Sequence, residues 1–297
     1  MIKKKIKKAL NKPDRPVQLL DVRSDIVFKK IFGQHKNLAK SFLNGILPLP
    51  EDRLIKSIEY LTPEQSPRIP AMKNTIVDVK CKDKKGRIFI VEMQLAWSAN
   101  FMKRFLYGAS KAFVQQMGVG QTYSSLCPVY GVAIIGEPFE KGTTEWFHHY
   151  KLTHAKDQNK SLEGLELIFI ELNKFKPETI EHRKMGILWL RFLKEAASLS
   201  SIPQEFQDDP DLAQAVELAQ ESAYTPEELY WYDKYLDAVR VELTVREDAY
   251  VEGKAEGEQV GLEKGKIEVA KELIADGMSL EKVCKITGLN LKIVREL

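Results

Sequence analysis

Three observations predict an α/β fold, a mixed central sheet flanked by helices, followed by an all-helical C-terminal region. β-rich apolar runs, "IFIVEMQ" (88–94), "PVYGVAIIG" (128–136) and "LELIFIEL" (165–172), alternate with helical patterns through the first 177 residues. The stretch "DKKG" (83–86) is turn chemistry between two such runs, which makes part of the sheet antiparallel. Beyond about residue 178 apolar residues recur at helical spacing and no β-rich run follows.

The first helix is expected to start near Ser24, with Ile26, Val27, Phe28, Ile31 and Phe32 as its apolar stripe and Gly33 as its stop. "NLAKSFLNGIL" reads as a second helix ending at Pro48, and "SIEYL" (57–61) as a short strand. "NTIVDVKCKDKKGRIFIVEMQ" reads as two strands joined by the Asp83–Gly86 turn. From Asn100 the pattern is helical, with Met102, Phe105, Leu106, Ala109, Phe113 and Met117 on one buried face. Arg104, Lys111 and Gln115 follow a neighbouring face, and Gly118-Val119-Gly120 closes the helix.

In the C-terminal half, "HRKMGILWLRFLKEA" and "ELYWYDKYLDAVRVELTVRED" are long amphipathic stretches, and Asp208-Asp209-Pro210 precedes a short helix at 211–221. Gly253, Gly257, Gly261 and Gly265 recur every four residues among charges. Each interior glycine costs a helix about 0.5–1 kcal/mol relative to alanine. This stretch is therefore a weak helix or a tether unless another chain packs on its glycine edge, which points to a homo-oligomer. "GMSLEKVCKITGLNLKIVREL" has the outline of a helix-turn-helix. Only Lys292 and Arg295 supply positive charge on its second helix, which favours a small interaction or capping module over a DNA reader. The expected organisation is a basic arm (1–19), a core (20–177), a helical extension (178–250) and a glycine-spaced tail with its terminal unit (251–297).

Composition bounds the function classes. The formal charge of +3 is too small to imply a polyanion partner by itself. Residues 1–15, however, hold seven Lys/Arg against one Asp, an arm suited to lying along phosphates or to being a solvated terminus. Cys81, Cys127 and Cys284 are widely spaced and form no CxxC pair, against a disulfide framework or zinc ribbon. With no secretory h-region and no run of about 18 apolar residues, a soluble cytoplasmic protein is expected. GxxxxGK[ST], GxGxxG and GxSxG are all missing, which removes support for nucleotide or serine hydrolysis. His148, His149 and His154 cluster in "WFHHYKLTH", but neighbours on an extended chain point to opposite sides. With no carboxylate at metal-ligand spacing, no zinc site is expected there.

The chemistry concentrates in the hairpin. The period of two puts Glu92 and Gln94 on one strand face, and antiparallel pairing brings Asp78 level with them. Two converging carboxylates suit Mg²⁺, which prefers oxygen ligands and retains waters. Burying them without a cation is unfavourable, because they repel each other and lose hydration. The alternative is that Glu92 pairs with a cation such as Lys80 on a half-exposed strand.

Asp78…Glu92-x-Gln94, on a hairpin followed by a helix, resembles the PD-(D/E)XK nuclease signature with Gln in the Lys position. "DIVFKKIFG", "FLNGIL", "VEMQ", "RFLYGASKAFVQQMGVGQTY", "PVYGVAII" and "IFIELNKF" together resemble the recombination-promoting nuclease/transposase (Rpn) family over residues 20–175. The resemblance implies a restriction-endonuclease-like fold and Mg²⁺- or Mn²⁺-dependent DNA cleavage, linked to recombination or mobile elements. It makes Asp78 and Glu92 metal ligands, with the Met93 backbone carbonyl completing the shell. Asp25 matches a position that supplies a further acidic group, or is a helix N-terminal acid favoured by the macrodipole. Gln94 can hydrogen-bond an attacking water but adds no positive charge, which Lys80, Arg104 or Lys111 would have to supply. Arg104, Lys111, Gln115 and Lys80 are the candidate DNA contacts. Glu171 and Lys174 match the family's strand end and are expected to form an ion pair. The competing reading is an inactive nuclease fold retained as a DNA-binding or protein-interaction module.

Overall fold

The structure is a computed structural model. It describes residues 18–62, 64–65, 75–76, 78–95, 97–98, 100–140, 142–177 and 184–297, with only the backbone at 64–65 and 75–76. The expected basic arm lies outside the described residues, apart from its last two positions. Two compact units divide the chain, Met1–Val239 and Arg240–Leu297.

The first unit is built on a six-stranded sheet: β1 (Ile58–Tyr60), β4 (Val79–Asp83), β5 (Ile88–Gln94), β6 (Val129–Ile135), β7 (Phe147–His154) and β8 (Asp157–Glu171). Its order is β1-β4-β5-β6-β8-β7. β5, β6 and β8 run parallel, while β1, β4 and β7 pair antiparallel with their neighbours. The sheet is mixed, as the sequence predicts. Two short strands, β2 (Glu64–Gln65) and β3 (Thr75–Ile76), pair only with each other. "NTIVDV" is thus not one continuous strand, because Thr75–Ile76 leaves the hairpin before Asp78.

The β4–β5 turn is fixed by a buried ion pair. Asp83 Oδ1 accepts the backbone N–H groups of Lys85 and Arg87, and the Arg87 Nε donates to Asp83 Oδ2 at 2.8 Å. Gly86 sits at φ 80°, a left-handed conformation that an L side chain resists.

Strand alternation sorts the core into two layers. Val79, Cys81, Phe89 and Val91 face the larger cluster, with α1 (Asp25–Phe28), α2 (Lys36–Ile46) and α4 (Lys184–Glu195). Ile88 and Ile90 face α3 (Phe101–Val114). The buried side of α3 is Phe101, Phe105, Gly108, Ala109, Lys111 and Ala112. That is rotated from the face expected on periodicity. Leu106 turns outward to a groove with Met102, Tyr150, Leu152 and Leu165. The sequence reading also left out β7, whose polar, His-rich composition hides an outer strand paired to β8.

Beyond the sheet come α5 (Gln204–Asp208) and α6 (Pro210–Ala219), the latter capped by Asp209, which accepts from the Asp211 and Leu212 backbones. A 50-residue helix, α7 (Pro226–Ala275), then carries the chain through the unit boundary. Its four spaced glycines face open space. In the second unit, α8 (Leu280–Thr287) and α9 (Leu291–Arg295) flank a left-handed Gly288, with Asn290 capping α9. Ala270, Val283, Leu289 and Val294 close a small core there. Among the described residues no helix is long and apolar enough to cross a membrane.

α2 and α4 cross with backbones in contact. A Cβ on Gly186 would strike the Gly45 carbonyl oxygen, while one on Gly108 would meet nothing within 4 Å. Gly186→Ala should therefore lower the unfolding free energy by about 1–3 kcal/mol. Gly108→Ala should raise it by about 0.5–1 kcal/mol, because only the helix propensity changes. Chemical denaturation of both variants checks the pair.

Candidate active site

The β4–β5 register sets the site. Val79 lies opposite Val91, so Asp78 comes level with Glu92 at the end of the hairpin. The Met93 N–H donates to Asp78 Oδ2 at 2.7 Å, locking that carboxylate against β5. Glu92 is 9% exposed, and its strand continues through Met93 to Gln94 alongside Ala133–Ile135 of β6. The strand that reads as apolar does deliver two polar side chains to one face at its end.

α1 approaches from the other side. The Ser24 hydroxyl, fully buried, accepts the Val27 N–H and caps the helix, which places Asp25 in the first turn. The helix widens to a π-turn over Lys29–Gly33, a local form that recurs at functional sites. Lys29 Nζ lies 2.7 Å from Asp25 Oδ1 and 3.7 Å from Asp78 Oδ1. Asp25, Lys29 and Asp78 thus form one cluster.

On the α3 side, Arg104 Nη2 donates to Gln94 Oε1 at 2.9 Å and lies 3.7 Å from Glu92 Oε2. That bond assigns the Gln94 amide: its oxygen faces Arg104, so its NH₂ is the other branch. Glu92 therefore does pair with a cation, as the alternative reading had it, and the cation is Arg104. The Arg104 side chain is 54% exposed, so it is open to a ligand.

Lys80 and Lys111 differ from Arg104. They are 9% and 7% exposed, and burial, with the nearby Lys111 charge, pushes the Lys80 ammonium below the usual lysine range. Lys111 is therefore not on a solvated face. Gln115 follows the last residue of α3, roughly 16 Å along the helix from Arg104. Of the expected row Arg104, Lys111 and Gln115, Arg104 meets Gln94 and Glu92.

Electrostatics show the strain in this arrangement. Burial raises Asp78 to about 6, with Asp25 pushing the same way and the Met93 N–H and Lys29 opposing. Burial raises Glu92 to about 7, with Arg104 opposing and Asp78 adding to the rise. Asp25 and Asp78 hold Lys29 charged, above its ordinary value, despite its own burial. Tyr235, on the first-unit part of α7, is lifted to about 12 by burial and then by Asp25, Asp78 and Asp21. Lys29 and Tyr235 were not among the expected site residues. The i,i+4 spacing of Asp25 and Lys29 is a readable signal for the first. No local pattern marks Tyr235, which reaches the cluster only through the fold.

A mixed sheet with helices on both faces, carrying acidic side chains at the open end of an antiparallel β4–β5 pair, is a restriction-endonuclease-like fold. The chain belongs to a family of such proteins: the model for the PD-(D/E)XK nuclease family transposase matches residues 22–244. No curated protein and no solved structure matches it.

The raised carboxyls make a pH prediction for the metal-free protein. From the ordinary values of 3.8 and 4.5 up to about 6 and 7, the folded state keeps protons that the unfolded chain has lost. Stability should therefore fall as pH rises through that window. Glu92→Gln should flatten the fall and raise the melting temperature at pH 8 but not at pH 4. Thermal denaturation in EDTA across that range measures it.

Proposed function

We propose that this protein is a Mg²⁺- or Mn²⁺-dependent DNA endonuclease acting in recombination or on mobile elements. The observation that supports this most is the pair of carboxylates, buried Glu92 and partly buried Asp78, held level by the Met93 N–H to Asp78 bond. Both are pushed toward protonation by burial, an unfavourable state that a divalent cation relieves. Their oxygen donors, with the Met93 carbonyl, fit a hard cation. When bound, such a cation supplies Lewis acidity and lowers the pKa of water.

The chain's own residues do the rest. Asp25 adds a third carboxylate beside Asp78 and holds Lys29 in place. Lys29 brings the positive charge that Gln94 lacks and is placed to offset charge building on a phosphate. Gln94, oriented by Arg104, offers its NH₂ to a water or a phosphate oxygen. Arg104 is the DNA-backbone contact, its exposed guanidinium suited to bidentate phosphate binding. Lys80, Lys111 and Gln115 complete the proposed positive and polar surround from the α3 side. Self-association through the glycine edge of α7, and a cytoplasmic location, belong to the same reading.

Nicking of supercoiled plasmid with Mg²⁺ or Mn²⁺ tests it. Asp78→Asn and Glu92→Gln should each reduce the rate at least about 100-fold while remaining folded by circular dichroism. Lys29→Met should fall by a similar factor, and Arg104→Met should chiefly weaken DNA binding. Equal nicking by wild type and both carboxylate variants, or nicking in EDTA, overturns the proposal. DNA binding by the wild type without any nicking would favour the binding-module reading.

A further inference from the structure

A second cluster stands at the same end of the sheet, away from Asp78 and Glu92. Gln94, Ile135 and Glu171 share one register across β5, β6 and β8, so Glu171 lies roughly 10 Å from Gln94, two strands over. Glu171 is fully buried. Its Oε1 receives Lys174 Nζ at 2.8 Å, and its Oε2 accepts the Phe139 N–H at 2.8 Å. Lys174 thus balances the Glu171 charge, and the expected ion pair is present.

His148, on β7, packs its ring against Phe139, with 4.8 Å between ring centres. Its side chain is 5% exposed, and Nε2 lies 2.8 Å from Glu171 Oε1. The bond to Glu171 takes up Nε2 and leaves Nδ1 as the ring nitrogen that can meet a further group. Among the described residues no hydrogen bond reaches Nδ1. It points to Glu140, whose Oε2 is 3.5 Å away. Gly142, at φ 85°, turns the chain between Glu140 and Glu145. One ligand atom each from Glu140, Glu145 and His148 lies within 4.8 Å of the others.

We infer that Glu140, Glu145 and His148 Nδ1 form a second cation site, selective for a nitrogen-accepting transition metal such as Zn²⁺ rather than Mg²⁺. Three features carry this. The imidazole is buried and oriented by a carboxylate on its far nitrogen, the outer-shell arrangement that zinc histidines use. Two carboxylates and an imidazole nitrogen supply the mixed N/O donor set that zinc takes. Both glutamates are exposed and on a turn, free to close the last ångström toward the ~2.0–2.2 Å ligand distances of zinc. Of the charged groups nearby, Lys174 pairs with Glu171 and also donates to the Glu140 carbonyl and to Thr143 Oγ1, which ties the Glu140 backbone to the β8 end while its side-chain carboxylate faces His148. A metal there would clip Glu140 and Glu145 to the β7–β8 pair. The expectation that no carboxylate accompanies the histidines fails, because Glu145 and Glu140, three and eight residues before His148, lie beside its ring.

The test uses the full chain with Asp78→Asn and Glu92→Gln, which neutralises the first site. Calorimetric titration with ZnCl₂ should show one equivalent bound and a higher melting temperature. Adding Glu140→Gln and Glu145→Gln, both exposed positions, should weaken binding by at least about 100-fold and abolish the melting shift. The His148 ring resonances should move on zinc addition only when the glutamates are intact. No zinc uptake by the first variant, equal uptake by the second, or an unmoved His148 ring overturns the inference.

Discussion

The site depends on the register of one hairpin. With Val79 opposite Val91, Asp78 reaches the Met93 N–H and stands beside Glu92. A slip of one residue would turn Glu92 and Gln94 to the opposite face, toward the aromatic cluster of Phe28, Phe32 and Trp189. The register is secured from the far end of the hairpin. There, the buried Asp83–Arg87 pair closes the turn, with Asp83 also holding two backbone N–H groups. Breaking such a buried pair is strongly destabilising, since it leaves an uncompensated charge. The turn and the site are thus opposite ends of one lever.

Around the carboxylates the protein has placed cations from two directions. Lys29 arrives on the π-turn that follows α1, and Arg104 arrives from the first turn of α3. Lys29 holds two carboxylates, Asp25 and Asp78, and Arg104 holds one, Glu92, together with the Gln94 amide. Gln94 is neutral, and the positive charge beside the carboxylates comes from helices on either side of the sheet.

Much of this was legible. Glu92 and Gln94 share a face because a strand has period two, and Asp78 meets them because a tight hairpin pairs its outer ends. Ser24 and Asp25 could be read as a helix start. The burial of Lys80 and Lys111 could not, since lysine in an amphipathic pattern reads as surface and only packing of α3 on the sheet covers it. The rotation of the α3 face had the same cause. Leu106 and Phe101 are equally apolar, and what decides between them is which one meets Ile90, Ala133 and Phe169. β7 was missed because its polar outer face carries the composition.

The sequence by itself determined the α/β class, the hairpin, and the Asp78, Glu92 and Gln94 constellation, because these follow from local period and turn chemistry. Tertiary structure alone decided which charges meet. Lys29 joins Asp78 across 49 positions, and Tyr235 joins Asp25 across 210. Glu171 holds His148 across 23. Electrostatic partners are set by distance in space, and burial strengthens what it encloses by excluding water, so neither is written in the spacing along the chain.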